Sequence, residues 1–176
     1  LTCMDKGDVP EDFYNRVENF KIRGSSGKLN IALDGLPTFS ALPKDSSLRI
    51  SDMHFIDSLE RMERAYDDWK AGTWSKDPYV DMVIPTTVDP TMAPPGKHFM
   101  SCFIQYCPHK LEGRDWTDPE REAFAKTVIN QIANYSPDFK DLIVHYEVRT
   151  PADIEEQIGI TEGNIFHGEL TMDQLL

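Results

Sequence analysis

His98, Cys102, Cys107 and His109 lie close together in the sequence and suggest two kinds of chemistry. A zinc ion would need all four to converge on one point at about 2.0–2.3 Å. On an extended strand, however, side chains alternate between faces. His98 and Cys102 would then share one face and Cys107 would point to the other, and the spacing matches no usual paired-ligand pattern. No metal ligand set is therefore expected, and thiols buried in a core strand are the simpler expectation. A nucleophilic Cys107 activated by His109 would need electropositive surroundings and an orienting third group. Lys110 supplies charge, but no orienting group is evident. The acidic pairs Asp67-Asp68 and Glu155-Glu156 read as neighbours on solvated helix surfaces rather than as converging carboxylates. No catalytic residue is assigned.

Another unusual stretch is Glu162-Gly163-Asn164-Ile165-Phe166-His167-Gly168-Glu169-Leu170. Glycines and polar groups flank two large apolar residues with neither helical nor strand periodicity. One reading is a turn into a further helix. The other is a backbone that passes close to a ligand, where glycine leaves room. The chain contains no Gly-x-Gly-x-x-Gly after a strand, no phosphate-binding loop and no Gly-x-Ser-x-Gly elbow.

The elements that would position these groups follow from periodicity. A short helix is expected over 10–22, with Phe13, Val17 and Phe20 on one stripe. Leu29, Ile31 and Leu33 alternate as a half-buried strand, and 35–50 reads as a long loop. A helix is expected from Asp52 to Lys70, capped by Ser51 and closed by Gly72, with Ile56, Leu59, Met62, Tyr66 and Trp69 as its packing face. Two strands follow, Tyr79–Val88 and Lys97–Cys107, joined by a proline-rich connection. Thr117 and Glu120 have capping-box spacing before a helix with Phe124, Val128, Ile129 and Ile132 facing inward. Leu142–Val148 is a further strand, and Thr150 to Gly159 a last helix. The order lacks the βα alternation of a parallel sheet. It predicts an α+β fold: a mostly antiparallel sheet with helices packed on one face.

The 176 residues suit a single domain, 1–176. A net charge of −12 argues against nucleic acid as a partner, because phosphate contacts need clustered Lys and Arg. No apolar run reaches the roughly 18 residues of a membrane span. Three cysteines, an odd number, suggest reduced thiols and a cytoplasmic protein.

Three stretches together carry a resemblance: Gly27 to Leu33, Asp89 to His98, and Gly163 to Leu170, with the helix around Ser58-Leu59-Glu60 and Ala65-Tyr66-Asp67-Asp68 in its place between the first two. Over nearly its whole length the chain resembles the phytoene desaturase-like FAD-dependent oxidoreductases, in the branch of the pyridine nucleotide-disulfide oxidoreductase domain-containing proteins. That resemblance implies the substrate-binding domain of a larger protein, without the two segments that bind FAD. FAD is then expected in the parent protein and none in this chain, which would be inactive alone. It implies a small apolar or mixed-polarity substrate, with Gly163, Asn164, His167 and Gly168 as substrate-binding residues. It also implies self-association through the exposed surface that would face the flavin domain. The competing reading is a free-standing α+β module that binds a ligand or partner without redox chemistry.

Overall fold

Alternation along the strands builds a single five-stranded sheet in the order β2-β3-β4-β1-β5, with every neighbouring pair antiparallel. The strands are β1 Ser26–Leu33, β2 Met53–Phe55, β3 Tyr79–Val83, β4 His98–Gln105 and β5 Ile143–Arg149. The helices are α1 Glu11–Glu18, α2 Leu59–Lys70, α3 Asp118–Ala133, α4 Phe139–Leu142 and α5 Pro151–Ile158. This computed structural model describes residues 3–43 and 52–175. The α+β class expected from the sequence is the one observed.

Register gives the sheet two distinct faces. On the inner face Leu29, Cys102 and Met82 lie in one row, and Gly27, Ile104, Val80 and Phe55 in the next. Phe124, Val128, Ile129 and Ile132 of α3 pack with these rows in one buried cluster, so the inward stripe expected of that helix is realised. A Cβ at Gly27 would stand 2.9 Å from the Phe124 ring, so the glycine makes room for the largest core side chain there. The outer face carries the row Arg149, Lys28, Phe103, Asp81 and His54. No helix among the described residues is long and apolar enough to cross a membrane.

Several local expectations are corrected. Residues Met53–Phe55, expected in a helix, form the edge strand β2, because pairing with Met82 and Val80 buries Phe55 in the core. The helix begins at Leu59. Its cap is Ser58, whose hydroxyl oxygen accepts from the Arg61 amide at 3.3 Å; Ser51 and most of the loop after Pro43 lie outside the described residues. With the start shifted, Leu59 is 80% exposed, and the buried side chains of α2 are Ala65 and Trp69. Thr117 makes no side-chain cap to α3, since Glu120 is drawn instead to Arg114 at 3.1 Å. The working capping box is at α5, where Thr150 and Asp153 satisfy each other's backbone amides before Gly159 ends the helix at φ +81°.

Candidate functional site

The metal and thiol candidates are dispersed by the fold. Cys102 sits in the inner-face row, and burial pushes its thiol up to about 12. Cys107 lies beyond the end of β4, so strand alternation does not govern it. Rather than pointing to the opposite face, it is buried in the same core, with its thiol raised well above the usual range by desolvation. Neither is a thiolate at neutral pH. His98 Nδ1 pairs with the Thr86 hydroxyl at 2.9 Å, while His109 Nε2 meets Glu155 Oε2 at 2.6 Å. Glu155 is thus more than a solvated surface acid, since its other oxygen accepts the Glu162 amide at 2.7 Å.

A cleft of about 470 Å³ opens where the start of β1, the C-terminal half of α2, the end of β4 and the segment after α5 come together. Its wall is aromatic. Tyr66 and Trp69, one helical turn apart on α2, stack with centroids 5.4 Å apart, and Tyr106 meets Tyr66 edge-on at 5.3 Å. The indole N–H of Trp69 donates to the Gly24 carbonyl at 3.0 Å, which fixes the ring. Arg23 covers one indole face, with its guanidinium carbon 4.6 Å from the ring centroid.

The rim is held by paired polar groups. Arg23 donates Nε and Nη2 to Glu169 at 2.8 and 2.7 Å, and its backbone amide donates to the same carboxylate at 3.1 Å. These bonds hold the Glu169 carboxyl below its usual range and the Arg23 guanidinium above its own. Burial raises the Tyr106 phenol, so it remains neutral. Among the described residues that line the cleft, the cation Arg23 and the anion Glu169 are therefore spent on each other, leaving a neutral, aromatic lining. Such a surface suits an apolar, planar group with a polar edge.

The four residues expected to bind substrate divide between lining and support. Asn164 is buried and lines the cleft. Its Nδ2 donates to the Arg23 carbonyl at 3.1 Å and its Oδ1 accepts the Phe166 amide at 2.8 Å. Gly168 also lines the cleft, packed so closely on Phe20 that a Cβ would stand 2.7 Å from the ring. Gly163 sits at φ +63°, where a Cβ would fall on the Pro151 carbonyl oxygen. His167 is exposed at φ +60° and does not line the cleft. Tyr66, Trp69 and Tyr106 were missed as site residues. The sequence places the first two on the packing face of α2, and only their pairing one turn apart marks them.

Among the described residues one further cluster could hold a cation: Asp52, His54 and Asp81, on the outer face. In a helix Asp52 and His54, two residues apart, would not share a face; the trio exists only because 53–55 is a strand.

The dinucleotide cradle of a Rossmann unit, a glycine-rich turn from a parallel strand into a helix, is not found among the described residues. The chain's paired strands are all antiparallel, and no glycine-rich turn leads from a strand into a helix N-terminus among the described residues.

No family model matches the chain. In an alignment 175 residues long that covers 95% of the chain, it is 34% identical to pyridine nucleotide-disulfide oxidoreductase domain-containing protein 2 of Mus musculus. It is also 34% identical over 175 residues to the protein of the same name from Rattus norvegicus. The chain spans 30% of the length of each of these relatives.

Proposed function

We propose that this chain is the substrate-binding portion of a FAD-dependent oxidoreductase related to the phytoene desaturases. The observation that carries the reading is its similarity, across 95% of its residues, to proteins named for a pyridine nucleotide-disulfide oxidoreductase domain. The cleft agrees with that role. It has the aromatic lining and small number of fixed polar groups that recognise a mixed-polarity organic molecule, and its ionised pair is already satisfied. In this reading Asn164 and Gly168 face the substrate, Gly163 supports the turn, and His167 reaches the substrate side only where other parts of the same protein adjoin it. Flavin chemistry would be supplied from outside this chain, and by itself the chain would bind without turning over.

A second element of the proposal is self-association. Phe13, Val17 and Phe20 are each more than 40% exposed and line a groove of about 750 Å³ with Ile22, while Phe166 is 65% exposed. Apolar area of this kind favours docking.

Binding to the cleft is tested with a neutral aromatic probe, N-phenyl-1-naphthylamine, titrated into the 176-residue chain. Saturable fluorescence enhancement that falls in Tyr106→Ala and persists in Phe13→Ser is expected. Enhancement that Tyr106→Ala leaves unchanged places the apolar site elsewhere and removes the cleft from the proposal.

A further inference from the structure

Asp52, His54 and Asp81 present one potential ligand atom each, all within 4.8 Å of one another. Strand geometry builds the arrangement. On β2 and its N-terminal extension a period of two puts Asp52 and His54 on one face. The antiparallel register then sets Asp81 of β3 directly opposite His54. First-row metal sites with nitrogen and oxygen ligands at about 2.0–2.2 Å hold neighbouring ligand atoms roughly 3–3.5 Å apart. Closing the remaining gap needs only small rotations of partly exposed side chains.

Two observations set this trio apart from an ordinary acidic patch. The first is the imidazole. His54 Nδ1 is engaged with the Tyr79 hydroxyl, and Nε2 is the nitrogen turned toward Asp52, 3.7 Å from Oδ2. Anchoring one ring nitrogen so that the other faces the ion is the usual support for a metal-binding histidine. The second is the closeness of the carboxyl groups: Asp52 and Asp81 bring ligand oxygens within 4.8 Å of each other, where two anions repel unless a cation lies between them. Lys28, the cation nearest in register, donates its ammonium to Ser101. Two acids thus meet beside an oriented imidazole.

We propose that Asp52, His54 and Asp81 form a binding site for a first-row transition-metal dication that clamps the edge strand β2 to β3. Mixed imidazole and carboxylate ligation favours zinc, cobalt or manganese over magnesium. Because β2 is only three residues long and pairs on one side, a shared ion would add a cross-strand tie where the hydrogen-bonded ladder is shortest.

The test is isothermal titration of Zn²⁺ into the tag-free, chelator-stripped 176-residue chain at neutral pH, with millimolar Mg²⁺ present to suppress loose electrostatic binding. One saturable equivalent is expected, together with a rise in melting temperature. His54→Gln and Asp81→Asn should each weaken binding at least about tenfold, and Tyr79→Phe should weaken it by up to about that much by freeing the ring. The variant His109→Gln should bind as the parent does. Circular dichroism of each variant separates lost ligation from lost fold. Absence of a saturable site, or undiminished binding in a folded His54→Gln or Asp81→Asn, overturns the proposal.

Discussion

The guanidinium of Arg23 and the carboxylate of Glu169, 146 residues apart in sequence, meet as a two-point pair at 2.8 and 2.7 Å. The pair joins the residues that lead into β1 to the segment that follows α5, and it does so across the mouth of the aromatic cleft. Arg23 also covers the Trp69 ring, so one residue links the charged latch to the aromatic wall. Glu169→Gln should therefore loosen the rim more than it weakens the whole fold. With Arg23 about half exposed, the expected loss of stability is only about 1 kcal/mol. Hydrogen exchange should report the difference, with faster exchange at 165–175 and little change in β1 and β4.

The same pair fixes a pH dependence. Glu169 has a folded value below that of an unfolded glutamate, about 4.3, chiefly because Arg23 donates to its ionised form. The latch contributes fully above that value and is lost as pH falls through the lower folded one. Asp153 and Asp173 are also lowered, so the parent will lose stability in acid through several groups. Glu169→Gln should show a shallower acid slope than the parent and the same slope between pH 6 and 8. An unchanged acid slope would mean the carboxylate is not held by Arg23 in solution.

Three backbones crowd together behind the cleft. A Cβ at Gly24 would fall on the Glu162 carbonyl and stand 2.7 Å from the Pro151 Cβ; one at Gly163 would fall on the Pro151 carbonyl. Gly163→Ala combines that clash with a left-handed φ and should cost about 3 kcal/mol or prevent folding. Gly113→Ala, left-handed but in open space, should cost about 1–2 kcal/mol. Denaturant melts of the two variants compare crowding with backbone preference alone. Equal losses would show that the glycine at 163 serves conformation only.

Asp153 anchors α5. It is 7% exposed and receives the Arg121 guanidinium, at 2.9 Å from Nε, and the Thr150 amide and hydroxyl, both at 2.8 Å. Asp153→Ala removes the reciprocal half of the capping box and the main carboxylate partner of a partly buried arginine, with an expected loss of about 2–4 kcal/mol. Thr150→Ser should keep most of the box and lose far less. Thermal melts of both variants decide whether the box or simple packing holds the helix.

If the α1 stripe docks on a second copy, sedimentation should show association that deepens with protein concentration. Replacing Phe13 and Val17 by serine together should abolish it while leaving the melt nearly unchanged, because neither side chain is buried. Association that persists in the double variant moves the contact elsewhere.

Much of the fold was legible because alternation and helical spacing are local signals. β1, β4, β5, α3 and α5 all lie where those patterns put them. Met53–Phe55 was not legible, because three residues carry no period of their own and become a strand only through Met82 and Val80. The Thr117-Glu120 spacing misled because Arg114 competes for the glutamate. At the site, the glycine-rich segment showed that something passes close by. It did not show that Pro151 and Phe20, from this same chain, are the close neighbours of Gly163 and Gly168. Tyr106 lies just past a strand end and became visible as a wall only once α2 was placed beside it.

If this chain supplies the substrate side of a flavoprotein, as proposed, the flavin is held by other parts of the same protein. Visible absorption of two purified preparations checks this: the whole product of the gene, and the 176-residue chain after incubation with FAD. An oxidised flavin spectrum with about one FAD per polypeptide is expected in the whole gene product, and no retained flavin in the 176-residue chain. A whole product free of flavin, or stoichiometric FAD held by the 176 residues alone, would contradict it.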